Sequence, residues 1–262
     1  MTIPPYPEGH ALLAGKSVVV TASAGAGIGQ ATARRCLEEG ARVVISDTHE
    51  RRLGEALETL KAEFPDSVAA VPCDVTDEAS VARAVGEVVR TFGRLDGAFN
   101  NAGVGGTHRP LHQTGTAEFD RVLATNLRGP FLCMKYEIPA MLAAGGGSIV
   151  VTSSVGGLVG GAANTVYATS KHGLTGLVRC AALDYARAGI RVNAIAPGPT
   201  RSEMFDRWMP TDEARAAMAG HFPLNYIADP DDMARAALFL LSDESRWTTG
   251  TVFPCEGGIT AR

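Results

Sequence analysis

Seven short runs of mostly apolar, β-branched residues alternate with longer stretches of helical character along the chain. Within a run the apolar residues are continuous, as in Val18–Val20 and Val43–Ile45, and do not fall at every second position. Strands covered on both faces have this pattern, and strands that alternate with helices pair in parallel. We therefore predict an α/β fold: a single doubly wound domain of Rossmann type, with a mostly seven-stranded parallel sheet and helices on both faces.

The alternation also predicts where each element lies, and one domain is expected over residues 1–262. Strands are expected at Ser17–Thr21, Arg42–Ser46, Ala69–Pro72, Gly97–Asn100, Ser148–Thr152, Arg191–Ala196 and Thr251–Phe253. Helices are expected near 28–39, 50–62, 77–91, 116–143, 165–187 and 230–241. Gly40, Gly93 and Gly189 each stand between a helix and a strand, where glycine readily adopts the left-handed conformation that ends a helix.

Charge and composition exclude several classes of protein. The net charge of −4 and the scattered Lys and Arg residues argue against a nucleic-acid partner. We find no signal-peptide pattern, and no apolar run approaches the roughly 18 residues that cross a membrane. The five cysteines are dispersed and odd in number, which is typical of reduced thiols. We expect a cytoplasmic protein with a small-molecule substrate and no metal.

A glycine-rich loop follows the first predicted strand and runs into a helix. Glycines allow the backbone to approach a pyrophosphate, whose charge the N-terminus of the helix favours. The expected contacts of such a cofactor in this loop are Thr21, Ser23, Gly25, Gly27, Ile28 and Gly29.

Asp47 ends the second predicted strand, 18 residues after Gly29. An acid at about this interval accepts hydrogen bonds from the adenosine ribose, and it would repel the 2′-phosphate of NADP. We therefore predict NAD as the cofactor. Arg51 and Arg52 could reach a 2′-phosphate, which leaves NADP open, and a helix N-cap is the structural alternative for Asp47.

Four polar side chains form a candidate catalytic group. Tyr167 and Lys171 share one face of a predicted helix at i and i+4. Ser154 lies thirteen residues before Tyr167 at a strand end, and Asn126 lies in an earlier helix. Each residue alone is commonplace. Together with the glycine loop, they resemble the short-chain dehydrogenase/reductase family over nearly the whole chain.

The resemblance implies a role for each of the four. Ser154 would hydrogen-bond the substrate oxygen, and Tyr167 would exchange a proton with it. Lys171 would bind the nicotinamide ribose and lower the pKa of Tyr167, a pKa that is otherwise near ~10. Asn126 would hold a water molecule for proton relay.

The resemblance adds further cofactor contacts and one departure. Asp74 and Val75 would contact adenine, and Asn100 would support the fourth strand end beside the cofactor. The remaining expected contacts are Asn101, Ala102, Gly103, Tyr167, Lys171, Pro197, Gly198 and Thr200. Ala22 stands where the family usually has glycine, and the loop is one residue longer than usual.

The predicted function is hydride transfer between NAD(H) and a secondary alcohol or ketone. A 3-oxoacyl-thioester reductase or a hydroxysteroid-type dehydrogenase is the alternative within that class. A nucleotide-binding scaffold without catalysis is the alternative outside it. The segment 203–222 is either a substrate lid or an amphipathic helix packed on the core. The resemblance also implies a homotetramer.

Overall fold

The structure is a computed structural model that describes residues 10–162 and 164–261. Its centre is a parallel sheet of seven strands in the order β3-β2-β1-β4-β5-β6-β7. The strands are β1 (Ser17–Thr21), β2 (Arg42–Asp47), β3 (Val68–Pro72), β4 (Gly97–Asn100), β5 (Gly147–Thr152), β6 (Ile190–Pro197) and β7 (Val252–Cys255). The doubly wound α/β fold that the sequence predicts is thus confirmed.

Nine α-helices connect and follow the strands in the described part of the chain. They are α1 (Ile28–Glu38), α2 (Glu50–Glu63), α3 (Glu78–Phe92), α4 (Thr116–Leu123), α5 (Gly129–Ala144), α6 (Thr165–Tyr185), α7 (Glu203–Trp208), α8 (Asp212–Gly220) and α9 (Pro230–Leu241).

The helices bury both faces of the sheet, which explains the continuous apolar runs. Val18 and Val20 face a core that α1, α2 and α9 cover. Val19, between them in sequence, faces a second core that α3, α5 and α6 cover. Because successive side chains of a strand point to opposite faces, every position of such a strand meets a core.

The three predicted glycine junctions are confirmed. Gly40, Gly93 and Gly189 have φ values of 86°, 83° and 76°, in the left-handed region. Gly93 is the residue at the end of α3, and its N–H donates to the Val89 carbonyl. These residues let the chain turn from each helix directly into β2, β4 or β6.

The single helix predicted over 116–143 is wrong in its middle. The chain forms α4, then a wide turn of π-helical type at Ala124–Arg128, then α5. Asn126, inside this turn, is fully buried, and its amide hydrogen-bonds the backbone of Val104. An inserted residue of this kind re-aims one side chain without ending the helix. Periodicity cannot reveal it.

Candidate active site

Three strand ends meet where the strand order reverses, between β1 and β4. The hydroxyl of Thr21 accepts the N–H groups of Asn101 at 2.9 Å and Ala102 at 3.2 Å. The amide of Asn101 donates to the Ala22 carbonyl at 3.2 Å and accepts from the Thr152 hydroxyl at 3.1 Å. Ligands of open parallel sheets bind in the crevice at such a reversal. These bonds fix its floor.

Glycine is required at one position of the loop after β1. A Cβ on Gly29 would stand 2.2 Å from the Ala22 carbonyl oxygen, so no side chain fits there. Ala22 itself has φ of 52°, a left-handed conformation that costs a non-glycine residue about 1 kcal/mol. The departure from the family pattern therefore preserves the backbone path. Gly27 begins the turn into α1 with an extended backbone.

Ser23 does not face the crevice. It is fully buried, and its N–H donates to the Ser46 carbonyl at 3.0 Å. Its hydroxyl lies 3.1 Å from the Val20 carbonyl and accepts the N–H of Ser46 at 3.0 Å. The cofactor contact predicted for Ser23 is therefore not available to its hydroxyl or its N–H, because both tie β1 to β2.

Asp47 is the last residue of β2 and borders the glycine loop. Its Oδ2 accepts the N–H of Ala24 at 3.2 Å, and its Oδ1 accepts the N–H of His49 at 3.0 Å. The residue at the N-cap of α2 is His49, so the alternative of Asp47 as that N-cap is wrong. The carboxylate orders the turn before the helix and lies beside the loop predicted to bind pyrophosphate.

The two residues predicted at adenine differ in exposure. Asp74 is exposed, and its carboxylate accepts the N–H and the hydroxyl of Thr76 at 2.8 Å and 2.7 Å. Val75 is buried and packs close to Gly129 at the start of α5, where an added Cβ would come within 2.9 Å of it. Both follow β3 directly.

The cofactor contacts predicted at Pro197, Gly198 and Thr200 lie at a tight turn that follows β6. A Cβ on Gly198 would stand 3.0 Å from the Cα of Glu256, so the turn packs against the chain beyond β7. The buried Thr200 hydroxyl donates to the Gly198 carbonyl at 3.1 Å. Pro197 ends β6 at this same edge of the sheet.

Lys171 is buried inside the site. Only 2 % of it is exposed, and its Nζ donates to the Thr152 carbonyl at 2.7 Å. The ammonium lies 5.7 Å from the centroid of the Tyr167 ring. Burial lowers the pKa of Lys171 to about 8, because an apolar surrounding disfavours the charged form. The ion pairs of the described chain include none for this lysine, so its backbone contact is what holds it.

Tyr167 corrects one expectation. Burial raises the pKa of its phenol above the usual value, and a hydrogen bond with Ser154 lowers it by less. The lowering of the Tyr167 pKa expected from Lys171 does not outweigh the effect of burial. The lysine ammonium faces the ring and the Thr152 carbonyl, and its own pKa is depressed.

Ser154 lies next to Tyr167. It caps the short 3-10 turn Val155–Gly157, where its Oγ accepts the N–H of Gly156 at 3.1 Å. A Cβ on Gly156 would stand 3.6 Å from both the Ser154 Oγ and the Tyr167 ring. The two hydroxyl side chains therefore flank one glycine and can act on one oxygen atom.

Asn126 is hydrogen-bonded to the loop that contains Gly103. Its Nδ2 donates to the Val104 carbonyl at 2.9 Å and to the Ser170 hydroxyl at 3.1 Å. Its Oδ1 accepts the N–H of Val104 at 2.8 Å. Both amide hydrogens are thus used by the protein, while Oδ1 retains a second lone pair that can accept a hydrogen bond. Asn126 therefore fixes this loop, and its role in holding a water molecule stays a prediction.

Comparison with known proteins places the chain in a family. Residues 22–260 match the family model described as enoyl-(acyl carrier protein) reductase. The chain belongs to the short-chain dehydrogenase/reductase family. It is 39% identical over 251 residues to the 2,5-dichloro-2,5-cyclohexadiene-1,4-diol dehydrogenase of Sphingobium indicum, covering 95% of this chain and 98% of that one.

Two further members of the family are similar over most of their length. The (5R,7aS)-5-hydroxy-7a-methyl-1-oxo-2,3,5,6,7,7a-hexahydro-1H-indene-carboxyl-CoA reductase of Mycobacterium tuberculosis is 42% identical, with 93% of each chain covered. The crystal structure of levodione reductase superposes with a TM-score of 0.89 at 36% identity, covering 95% of this chain and 99% of that one. The chain is thus an oxidoreductase of this family, and such enzymes use nicotinamide cofactors.

Sequence reasoning missed three contacts of this short-chain dehydrogenase/reductase site. The Thr152 carbonyl holds Lys171. The buried carboxyl of Glu137 lies 2.9 Å from the amide of Asn100, and burial raises its pKa to about 8. The third is an ion pair between Arg52 and Glu203. Only Thr152, at a strand end, had a signal in the sequence.

The described residues contain neither a metal-ligand cluster nor a helix suited to cross a membrane. Within 10–162 and 164–261, no three His, Cys, Asp or Glu side chains cluster as metal ligands would. Over the same residues, no helix combines the length and the apolar character needed to cross a membrane.

Proposed function

We propose that this enzyme transfers hydride between NAD(H) and a secondary alcohol or ketone borne on a ring. The observation that carries the proposal is the grouping of Ser154, Tyr167 and Lys171 around Gly156 and the Thr152 carbonyl. Two neighbouring hydroxyl groups and a buried cation suit a substrate oxygen that gains negative charge.

The glycines around the crevice support a bound dinucleotide. A Cβ on Gly103 would stand 3.5 Å from the Asn126 Oδ1 and 3.6 Å from the Lys171 Nζ, so a larger residue would fill the space before the lysine. Gly25 and Gly27 likewise leave room between α1 and α7. Pyrophosphate would be held by the 25–29 loop, the adenosine ribose by Asp47 and the nicotinamide ribose by Lys171.

Proton transfer is the part of the reaction that the protein's own residues perform. A bound oxidised nicotinamide would supply the hydride acceptor for the carbinol carbon and a positive charge in the site. That charge counteracts the burial that raises the pKa of Tyr167. Tyr167 then takes the alcohol proton, Ser154 donates a hydrogen bond to the developing oxyanion, and Lys171 holds the phenol side chain in a positive field.

We also propose that the segment 203–222 is a substrate lid. The Trp208 ring stacks on His108 with centroids 5.5 Å apart, so α7 meets the loop that follows β4. Phe205 is buried against Trp208, whereas α8 buries none of its residues. An aromatic cover suits a compact apolar ring. The relatives from Sphingobium indicum and Mycobacterium tuberculosis are both named for ring compounds.

The test is cofactor turnover on matched substrates. The protein should oxidise cyclic secondary alcohols with NAD, and Tyr167→Phe should lower kcat by about 10²–10⁴. The same variant should still bind NADH, measured by the fluorescence of the nicotinamide. If Tyr167→Phe keeps full turnover, the proton-transfer role is wrong. If the wild type binds NADH but oxidises nothing, the scaffold alternative stands.

A 3-oxoacyl-thioester reductase remains the second candidate, because the matching family model is described by an acyl carrier protein substrate. Including a 3-oxoacyl thioester in the same panel decides between the two. A value of kcat/KM for the thioester above that of every cyclic ketone would favour this candidate.

We propose a homotetramer as well, in the cytoplasm. Phe239 of α9 and Phe253 of β7 lie 6.3 Å apart, partly exposed, at the edge of the sheet. Trp247 nearby in sequence is 99% exposed. A second copy would cover these apolar side chains. The free cysteines of the chain suit a reducing compartment. Light scattering measures the assembly, and a monomer at micromolar concentration would refute it.

A further inference from the structure

The lid reaches the adenosine side of the cofactor crevice. Glu203 is the first residue of α7, and its Oε1 lies 3.5 Å from where a Cβ on Gly25 would stand. The same oxygen accepts a hydrogen bond from the Arg52 Nη1 at 2.5 Å. Arg52 belongs to α2, five residues after Asp47. This ion pair therefore connects the lid to the helix that follows β2.

The three charged groups surround one short piece of the glycine loop. Asp47 accepts the N–H of Ala24 at 3.2 Å, and Ala24 precedes Gly25, which Glu203 covers. Arg52 is bonded to Glu203 and thus lies near the same loop. A 2′-phosphate on a ribose bound by Asp47 would come close to this guanidinium.

Arg52 has the capacity to bind a phosphate. Its Nη1 donates to Glu203, and its buried Nε has no hydrogen-bond partner among the described residues, so Glu203 is the acceptor that holds the guanidinium. A planar guanidinium matches the geometry of phosphate oxygens. Arg51 differs, because it is 72% exposed and pairs with Glu55 on its own helix. Of the two arginines that the sequence leaves open for NADP, Arg52 is the one at the crevice.

We propose that Glu203 helps to select NAD over NADP by holding Arg52 in an ion pair. The inference rests on the proposed function and names a specificity residue for it. With the pair formed, Glu203 neutralises the charge of Arg52 while Asp47 still repels a 2′-phosphate. Arg207, 3.7 Å from the Glu203 Oε2, is a second cation on the same carboxylate. With Glu203 neutral, Arg52 becomes free to pair with the phosphate. The guanidinium keeps the pKa of Glu203 below its usual value, so the carboxylate is charged at neutral pH.

The test compares binding of NADH and NADPH by nicotinamide fluorescence in the full protein. Glu203→Gln should raise the affinity for NADPH relative to NADH about tenfold, the effect of one charge-assisted hydrogen bond. The double variant Arg52→Gln/Glu203→Gln should return the ratio to the wild-type value. Asp206→Asn is the matched control, because it removes a carboxylate of the same helix that pairs with Arg215. Its ratio should equal that of the wild type.

Three results would overturn the inference. The ratio could stay unchanged in Glu203→Gln, or it could rise equally in the double variant, which would mean that the lost charge acts without Arg52. It could also rise in Asp206→Asn. Failure of the proposed function is a different result, since the wild type would then bind neither dinucleotide, or would bind NADH without oxidising any alcohol of the panel. Glu203 is half-exposed, with 51% of its side chain accessible, so glutamine removes little packing.

Discussion

The catalytic group and the lid are held by different kinds of interaction. Lys171 and Asn126 are buried and bond to backbone groups of Thr152 and Val104. The proposed lid is connected to α2 by the ion pair of Glu203 with Arg52, and its own helices α7 and α8 are joined by the ion pair of Asp206 with Arg215. Exposed pairs contribute 0–1 kcal/mol, whereas a buried group that loses its partner costs more. We therefore expect the catalytic group to be fixed and the proposed lid to be the part that can change.

Replacing Lys171 by methionine should produce the largest effect and tests the fixed half. Activity should fall by about 10²–10⁴, because the buried cation beside Tyr167 is lost. The free energy of unfolding at pH 7 should rise by about 1–2 kcal/mol. Burial lowers the pKa of Lys171 from 10.5 to about 8, so burying the ammonium costs at most about 3 kcal/mol, and methionine removes this cost. The Thr152 carbonyl loses its partner in the variant, which partly offsets the gain.

The pH dependence of the stability gained by Lys171→Met tests whether the buried ammonium is its cause. The pKa of Lys171 is lower in the fold than in the unfolded chain, so the wild type gains stability as pH rises from about 8 to about 10.5. The advantage of Lys171→Met in urea unfolding should therefore shrink over this window. A constant difference between the two proteins would mean that the buried ammonium is not the cause.

Glu137→Gln should have an intermediate effect and separates burial from catalysis. The pKa of Glu137 is about 8 in the fold, above its unfolded value near ~4.3. Stability due to the neutral carboxyl is complete below the unfolded pKa and is lost as pH rises towards 8, at up to about 1.4 kcal/mol per pH unit. The variant should be more stable than the wild type at pH 8 by about 1–3 kcal/mol.

The same variant should keep its activity, because Glu137 contacts Asn100 and none of the four catalytic residues. At pH 4–5 the two proteins should have similar stability. If the difference is equally large at both pH values, packing explains it and the titration of Glu137 does not. The variant should therefore change the stability of the buried part of the protein without changing the reaction.

The predictability of the two halves follows from the range of their contacts. The strands, the glycine junctions and the Tyr167–Lys171 spacing depend on local patterns, so the sequence alone predicts them. The sequence predicts a continuous helix through Asn126, because the partner that marks its turn, Val104, is 22 residues away and leaves no local pattern. Arg52 and Glu203 are 151 residues apart, and no periodicity joins them. Tyr167 is half-buried, and the desolvation that raises its pKa also follows only from the fold.

Trp208→Ala should produce the smallest effect and tests the adjustable half. Trp208 is 42% exposed and stacks on His108, so its loss should open the lid without unfolding the protein. For small alcohols kcat/KM should change little, whereas the preference for a ring over a linear alcohol of equal carbon number should fall by about tenfold, the value of one apolar contact. Steady-state rates across a size series measure it. His108→Ala is the matched variant, since it removes the other ring of the stack. Identical size profiles in the wild type and both variants would show that the aromatic cover packs on the core and does not select substrates.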